Sequence, residues 1–389
     1  MTRMFRILRI VEEMDGTMEK IEMSAPCLFG IEGILADELR RMGAEDVAAQ
    51  NGKVTFAGSA EILARANYGS RYAERIQVQM GNFFARSFEE LFQRVKALPW
   101  ERWIDKNDAF PVKGWSLNST LHSVPDCQSI VKKAIVERLK QKYQLSWFEE
   151  TGAVYQVQFT ILKDEVTILI DTSGAGLHKR GYRANAGGAP IKETLAAAMV
   201  DVMRCRMSPL VCDPCCGSGT LLIESAMAAH RIAPGILRRF TAMQWKSIPS
   251  SVWKEERTRA RDMEFHDREF AAWGGDIDPE CLALVKENAA KAGVGEDMTT
   301  VQQSIKDFCP EADRGVVICN PPYGERLLDI QAAEEIYRIM GQVFVPKAGW
   351  SYGIISPHED FESLFGRKAD KRRKLYNGML KCQLYIYYR

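Results

Sequence analysis

A chain of 389 residues that is 46% hydrophobic is long enough for two or three domains, each with its own core. Its 52 basic residues stand against 51 acidic ones, a net charge of +1, which excludes general attraction of nucleic acid by the global field and confines any such surface to a local patch. No apolar stretch approaches the ~20 residues that span a bilayer. Ile7 to Val11 is broken by Arg9 and followed by Glu12 and Glu13, so no secretory signal is read, and the ten scattered cysteines fit reduced thiols in a cytoplasmic protein.

Residues 1–17 match nothing that follows and are expected to be an over-long start or an unstructured tail. From Ile21 a strand leads to Cys27-Leu28-Phe29-Gly30, and a helix then carries Ile31, Leu35 and Leu39 at helical spacing. Val54 to Phe56 reads as a strand and Glu61 to Tyr68 as a helix, which together make a small α+β module. Phe88 to Leu98 is amphipathic and stops at Pro99-Trp100. Trp115 to Asn118 reads as a strand, Gln128 to Tyr143 as a helix bearing Lys132, Lys133, Arg138, Lys140 and Lys142, and Val154 to Ile161 with Val166 to Ile170 as paired strands. Five cations on one helix mark either a solvated face or a phosphate track.

His178-Lys179-Arg180-Gly181-Tyr182-Arg183 and the glycine-rich Asn185 to Ala189 read as a basic linker. Its cations and its aromatic ring, at His178, Lys179, Arg180, Tyr182 and Arg183, are suited to gripping a single nucleic-acid strand, although an ordinary solvated linker has the same composition. Pro190 suits a first helical turn, and Ile191 to Val200 continues the helix.

Leu210-Val211-Cys212 is a short strand that runs into Asp213-Pro214-Cys215-Cys216-Gly217-Ser218-Gly219-Thr220 and then a helix to Ala229. Glycines at a strand-to-helix turn let a ligand approach the backbone, and the helix start offers free N–H groups to a carboxylate. Leu222 stands where a dinucleotide site needs its third glycine, and no Gly-Lys-Ser/Thr follows, so neither a pyrophosphate cradle nor a P-loop is read. Cys212 and Cys215 form a C-x-x-C without a second pair at zinc-ribbon spacing, and no metal site is expected.

An insertion with Trp245, Trp253, Arg257, Arg259 and Arg261 is expected to be helical, with no legible function. Phe270 to Trp273 gives the next strand, with Asp276 just past its end and able to accept from both hydroxyls of a ribose, while Asp278 suits the cap of a helix starting at Pro279. Met298 to Gln302 is a further strand, followed by Asp307. Val316 to Cys319 is a buried strand that ends at Asn320-Pro321-Pro322-Tyr323. There two prolines fix φ and remove two donors. What remains is a cluster of acceptors, the Asn320 side chain and the Pro321 carbonyl, beside the ring of Tyr323, which suits a planar base with an exocyclic NH2. Trp350 to Ile355 reads as a strand, and Asn377-Gly378 between Lys374-Leu375-Tyr376 and Leu380 to Tyr388 signals a hairpin. Arg367, Lys368, Lys371, Arg372, Arg373 and Lys374 precede that turn.

The acidic glycine loop, Asp276-Ile277-Asp278-Pro279 and Asn320-Pro321-Pro322-Tyr323 resemble a class I S-adenosylmethionine-dependent methyltransferase of the amino-methylating group. Ala189-Pro190-Ile191-Lys192-Glu193-Thr194-Leu195-Ala196-Ala197 and Gly324-Glu325-Arg326-Leu327 narrow the resemblance to THUMP-domain RNA methyltransferases of the RlmL type, which act on guanine N2 of large-subunit ribosomal RNA; it covers roughly residues 18–389. The fold it implies is α/β, a Rossmann-like sheet with a terminal antiparallel hairpin, preceded by α+β ferredoxin-like and THUMP modules. The implied divisions are 18–86 (ferredoxin-like), 87–176 (THUMP, RNA-binding), 177–189 (basic linker) and 190–389 (methyltransferase). The implied cofactor is S-adenosylmethionine, held by Asp213, Pro214, Cys215, Gly217, Ser218, Gly219, Thr220, Asp276, Ile277, Asp307, Lys192 and Thr194, with catalysis by Asn320, Pro321, Pro322 and Tyr323 and with Asp307 near the adenine amine. The implied partner is RNA, with neither membrane nor metal. The rival functions are an adenine-N6 DNA methyltransferase, a tRNA guanine-N2 methyltransferase and a non-enzymatic RNA-binding assembly factor.

Overall fold

The computed structural model describes residues 20–183, 191–323 and 330–388. The expected tail at 1–17, the segment from Asn185 through Pro190, and Gly324 to Leu327 lie outside the described residues.

The N-terminal half builds one sheet from β1 (Ile21–Pro26), β2 (Glu45–Gln50), β3 (Lys53–Gly58), β4 (Gln77–Phe84), β5 (Val112–Leu117), β6 (Gln156–Leu162) and β7 (Glu165–Asp171), in the order β2-β3-β1-β4-β7-β6-β5. Along β6, Val157, Phe159 and Ile161 are buried while their neighbours point outward, the period of two that a half-buried strand requires. Lys163 and Asp164 both have positive φ and close a two-residue turn to β7, a conformation that matches the right-handed strand twist. The two expected modules are not separate sheets, because β4 pairs with β1 at Met23↔Val78 and Ser24↔Gln77 and with β7 from Gln77↔Asp171 to Phe84↔Glu165. Helices Glu32–Arg41 and Ala60–Gly69 cover the first part, and Phe88–Lys96 with Val124–Tyr143 cover the second.

The C-terminal half is a second sheet of β8 (Leu210–Asp213), β9 (Ala271–Asp276), β10 (Met298–Gln302), β11 (Gly315–Cys319), β12 (Trp350–Ser356), β13 (Lys371–Asn377) and β14 (Leu380–Tyr387), in the order β10-β9-β8-β11-β12-β14-β13. From β10 to β12 every pairing is parallel, and β14 runs antiparallel to both β12 and β13. The strand order reverses between β8 and β11, and open α/β sheets bind ligands at the carboxyl ends of the strands beside such a reversal. β11 is buried from end to end, as its unbroken apolar run requires. β9 continues to Asp276, so this carboxylate ends the strand instead of following it. The hairpin turns on Gly378-Met379, with Gly378 at φ 63 and Asn377 paired to Leu380.

The insertion expected to be helical joins the two sheets. Trp245 stacks on Tyr155 with ring centroids 4.3 Å apart and donates to the Val154 carbonyl at 2.9 Å. Trp253, on helix Ser250–Asp262, packs against Tyr68 and Phe240, and Arg65 forks onto Glu256 at 2.9 and 2.5 Å. One hydrophobic core runs without interruption from Met23 to Ile386 across this junction. Among the described residues no helix is long and apolar enough to cross a membrane.

Candidate active site

The carboxyl ends of β8, β9 and β11 bring the glycine loop, Asp276 and the Asn-Pro-Pro-Tyr segment to one edge of the catalytic sheet. Cys216 N–H donates to the Gly275 carbonyl at 3.0 Å, which lashes the loop to β9. Asp276 then orients it further: one carboxylate oxygen accepts from Gly217 N–H at 2.9 Å and the other from Asp278 N–H at 3.0 Å. Gly217, at φ 50, has no atom within 4 Å of where a Cβ would stand, so open space faces the loop backbone. Gly219, at φ 81, is held for a different reason, since a Cβ there would come to 2.9 Å from Val285. The Ser218 carbonyl accepts from Asn288 at 3.2 Å, and Thr220 opens helix Thr220–Ala229. Asp278 caps helix Pro279–Ala292 through Glu280 N–H at 2.9 Å, as its spacing anticipates.

Asp213 is 2% exposed, and its carboxylate accepts from Cys215 N–H at 3.1 Å. Burial pushes its carboxyl up to about 7, while the Cys215 backbone and the Cys319 thiol pull it down. Among the described residues no cation pairs with it. A buried carboxylate without a cationic partner beside an open glycine loop fits a ligand that brings its own ammonium group. Ile277, next to Asp276, is 72% exposed, an apolar side chain at the same edge. Asp307 ends the short helical turn Ile305–Asp307 beyond β10 and is exposed.

Asn320 follows Cys319, the last residue of β11. The Tyr323 hydroxyl donates to the Asn320 side-chain oxygen, and the Pro322 carbonyl accepts from the Tyr337 hydroxyl at 3.3 Å. Ser356, on β12, in turn donates to Tyr337 at 3.2 Å. Asn320 is thus fixed by the tyrosine of its own motif. That ring is half-buried and anchored through its hydroxyl.

The basic linker has a different place from the one expected. Arg180 is 2% exposed and Tyr182 1% exposed. The Arg180 guanidinium pairs with Glu224 at 3.3 Å and donates to the carbonyls of Leu177 at 2.9 Å and Arg71 at 2.6 Å, and Tyr182 donates to Glu224 at 3.3 Å. The expectation that these two grip RNA is corrected, because a side chain enclosed between domains and satisfied there has no surface to offer. Arg183 donates to the Thr220 hydroxyl and pairs with Glu193 at 3.3 Å, and His178 contacts Glu74 at 3.1 Å. Lys179 is exposed.

Lys192 and Thr194, assigned by resemblance to the cofactor, both turn to Glu74, just ahead of β4 in the N-terminal half. Thr194 is fully buried and donates to Glu74 at 2.6 Å, and the Lys192 ammonium stands 3.5 Å away. Burial pushes Glu74 up, but His178, Thr194 and Lys192 outweigh it and hold the carboxyl down at about 2. Glu74, Glu224 and Tyr337 were not singled out by the sequence reading. Each is a polar residue whose partner lies far along the chain, and no local pattern marks such a residue.

A Rossmann-like sheet with reversed strand order, a terminal hairpin, an acidic glycine loop and Asn-Pro-Pro-Tyr at the next strand end define a class I S-adenosylmethionine-dependent methyltransferase. The family described as "RMKL-like, methyltransferase domain" matches residues 180–386, the RlmL ferredoxin-like domain matches 22–77 and the THUMP domain matches 85–171. The chain belongs to the RMKL-like methyltransferase family. It is 45% identical to the putative RNA methyltransferase YpsC of Bacillus subtilis, over 95% of this chain and 97% of the relative. It is 32% identical to the ribosomal RNA large subunit methyltransferase K/L of Psychromonas ingrahamii over 93% of this chain, but spans only 49% of that relative. Among solved structures, a putative methyltransferase, SMU.472, complexed with SAH superposes with a TM-score of 0.90 at 41% identity, covering 95% of this chain and 98% of that one. A predicted N6-adenine-specific DNA methylase from Listeria monocytogenes superposes equally well, with a TM-score of 0.90, 46% identity and coverage of 95% and 97%.

Proposed function

We propose that this RNA methyltransferase transfers a methyl group to the exocyclic N2 of a guanine in large-subunit (23S) ribosomal RNA. The observation that carries the chemistry is Asn320, an amide oxygen held by Tyr323 at the end of β11, one strand away from the buried Asp213 and its glycine loop. The large-subunit target is supported by the K/L relatives, which are about twice as long as the matched chain.

Asp213 is assigned to the ammonium of the cofactor and Asp276 to its ribose. The loop Pro214, Cys215, Gly217, Ser218, Gly219 and Thr220 lies along the amino-acid part, with Ile277 and Asp307 toward the adenine. S-adenosylmethionine supplies an activated methyl on a sulfonium. The chain supplies position. The Asn320 oxygen and the Pro321 carbonyl accept the two N–H bonds of the target amine, which turns its lone pair out of conjugation, while Pro322 fixes the backbone and Tyr323 stacks on the base. Hydrogen bonds to a group gaining charge contribute ~1.5–3 kcal/mol each, whereas alignment of two reactants supplies ~7–11 kcal/mol. Positioning therefore outweighs acid–base help, and the product ammonium releases its proton to water without a dedicated base.

RNA binding is assigned to the THUMP region, with domain divisions at 18–86, 87–176, 177–189 and 190–389, and to Lys179 of the linker. Three of the five cations on helix Val124–Tyr143 already meet internal carboxylates, Lys132 at Glu150, Arg138 at Glu101 and Lys140 at Glu137, which leaves Lys133 and Lys142 as the better candidates on that face. Nucleoside mass spectrometry of large ribosomal RNA from a deletion strain tests the reading. One N2-methylguanosine is expected to be missing, restored by the wild-type gene and not by Asn320→Ala. An unchanged N2-methylguanosine count with a missing N6-methyladenosine in DNA or RNA supports the adenine reading instead.

A further inference from the structure

The catalytic hairpin and the first loop of the N-terminal module meet at the surface beside Tyr323. Phe29 is 54% exposed and Met379 98% exposed, and Tyr376 meets the Phe29 ring edge-on with centroids 5.8 Å apart. Lys374 lies 5.2 Å from the Tyr376 ring. Asn377, two residues on from Lys374's neighbour Leu375, lies close enough to Tyr323 to act on its hydroxyl. The exposed Phe29 ring and the catalytic tyrosine thus flank adjacent residues of one strand, Tyr376 and Asn377, on its two faces.

The loop that presents Phe29 is held stiffly. Glu32 accepts from Gly30 N–H at 2.9 Å and from Gly52 N–H at 3.0 Å, and Cys27 N–H donates to the Gly52 carbonyl at 2.9 Å. The Phe29 ring lies over Gly52, where a Cβ would come to 3.2 Å from it. Contact with the hairpin is equally close: the Gly30 carbonyl accepts from Arg373 at 3.0 Å, and a Cβ on Gly30 would stand 2.7 Å from the Lys374 carbonyl. Gly30 has φ +92, so the position favours glycine on two grounds.

We propose that Phe29, Tyr376 and Met379 with Lys374 form a composite lip that grips the RNA strand beside the base entering the active site. The ferredoxin-like module is then one wall of the catalytic mouth. The inference rests on the methyl transfer to RNA proposed above. Its support is chemical. Rings that stack on unpaired bases stand next to ammonium groups that meet phosphates. Arg372 is committed to Glu362, whereas among the described residues no carboxylate pairs with Lys374. An enzyme that takes a base out of its stack has to hold the flanking nucleotides, and this lip is where they pass.

The test uses the full chain, unmodified 23S ribosomal RNA transcribed in vitro and radiolabelled S-adenosylmethionine. Phe29→Ala and Lys374→Glu are each expected to raise KM for RNA about tenfold while kcat at saturating RNA and SAH affinity by calorimetry stay at wild-type values. Phe29→Trp restores KM. Lys374 is on the surface, so Lys374→Glu decides the matter if Phe29→Ala melts early. Wild-type KM in Lys374→Glu and in any folded Phe29→Ala overturns the lip alone. Wild-type protein that transfers no methyl to RNA overturns both the lip and the reading beneath it.

Discussion

The two seven-stranded sheets differ in what their strand ends carry. In the catalytic sheet, parallel strands deliver Asp213, Asp276 and Asn320 to one edge, and these groups are fixed by backbone N–H groups or by a neighbouring hydroxyl. The N-terminal sheet is largely antiparallel, and polar side chains of the helix and loop leading into β4 serve joints instead: Glu74 reaches Thr194 and Lys192, Arg65 reaches Glu256, and Arg71 reaches the carbonyls of Met227 and Ile232. One sheet carries the groups to which the chemistry is assigned, and the N-terminal half is bound to it at the joints. The two are joined by these contacts and by one continuous core.

The strongest challenge to this contrast is to remove the N-terminal sheet. A chain cut back to residues 191–389 loses Tyr155, Tyr68, Arg180 and Arg65, which meet Trp245, Trp253, Glu224 and Glu256, and is expected to aggregate or melt without a cooperative transition. A monomeric, cooperative melt of that fragment would show that the joints are dispensable. Next in size is Arg180→Ala, which strands the buried Glu224 carboxylate. Urea unfolding is expected to report a loss of ~3–5 kcal/mol, much of it regained in the Arg180→Ala/Glu224→Ala pair, because an unpaired buried charge costs more than the intact pair contributes. A loss near zero would mean that the pair is only a surface contact.

Asn320→Ala addresses the catalytic edge. Turnover is expected to fall about a hundredfold, ~2.7 kcal/mol, with SAH affinity by calorimetry unchanged. Retention of more than about a tenth of the rate, a loss below ~1.4 kcal/mol, removes the amine-acceptor role. The smallest expected effect is a pH dependence. Burial raises the Asp213 carboxyl from its ordinary 3.8 to about 7, so the folded chain holds this proton where the unfolded chain has released it. The free protein therefore loses stability as pH rises from ~4 toward ~7, and a bound ammonium, which favours the carboxylate, offsets that loss. SAH affinity is expected to rise up to about tenfold per pH unit below ~7 and to level off above it, with the slope abolished in Asp213→Asn.

Much of the catalytic edge was legible in the sequence because its signals are local. The glycine loop, the Asp278 cap and the buried run before Asn320 each declare themselves within a few residues, and Met298 to Gln302 was placed with its observed bounds. β2 and β4 carried no such signal. β2 is an edge strand whose residues are nearly all exposed, and β4 holds Gly81 and Asn82 where a strand former would stand. The linker misled for a related reason. Arg180 and Tyr182 have the composition of a nucleic-acid contact, and only the arrival of Glu224 from 44 positions further along encloses them. Trp245 and Trp253 were visible as unusual but uninterpretable, since Tyr155 and Tyr68, which they pack against, belong to the N-terminal half.

That last junction bears on the order in which the chain is made. Tyr68 and Tyr155 leave the ribosome long before Trp253 and Trp245, which cover them, so the newly formed N-terminal sheet carries an apolar face that stays open for the whole interval. At ~5–20 residues per second the gap of some ninety residues lasts several seconds or longer, time in which an emerging chain meets chaperones or a second copy of itself. Slowing translation between residues 155 and 245 lengthens that interval. The yield of soluble protein is then sensitive to codon choice in a stretch that contains the glycine loop Asp213 to Thr220.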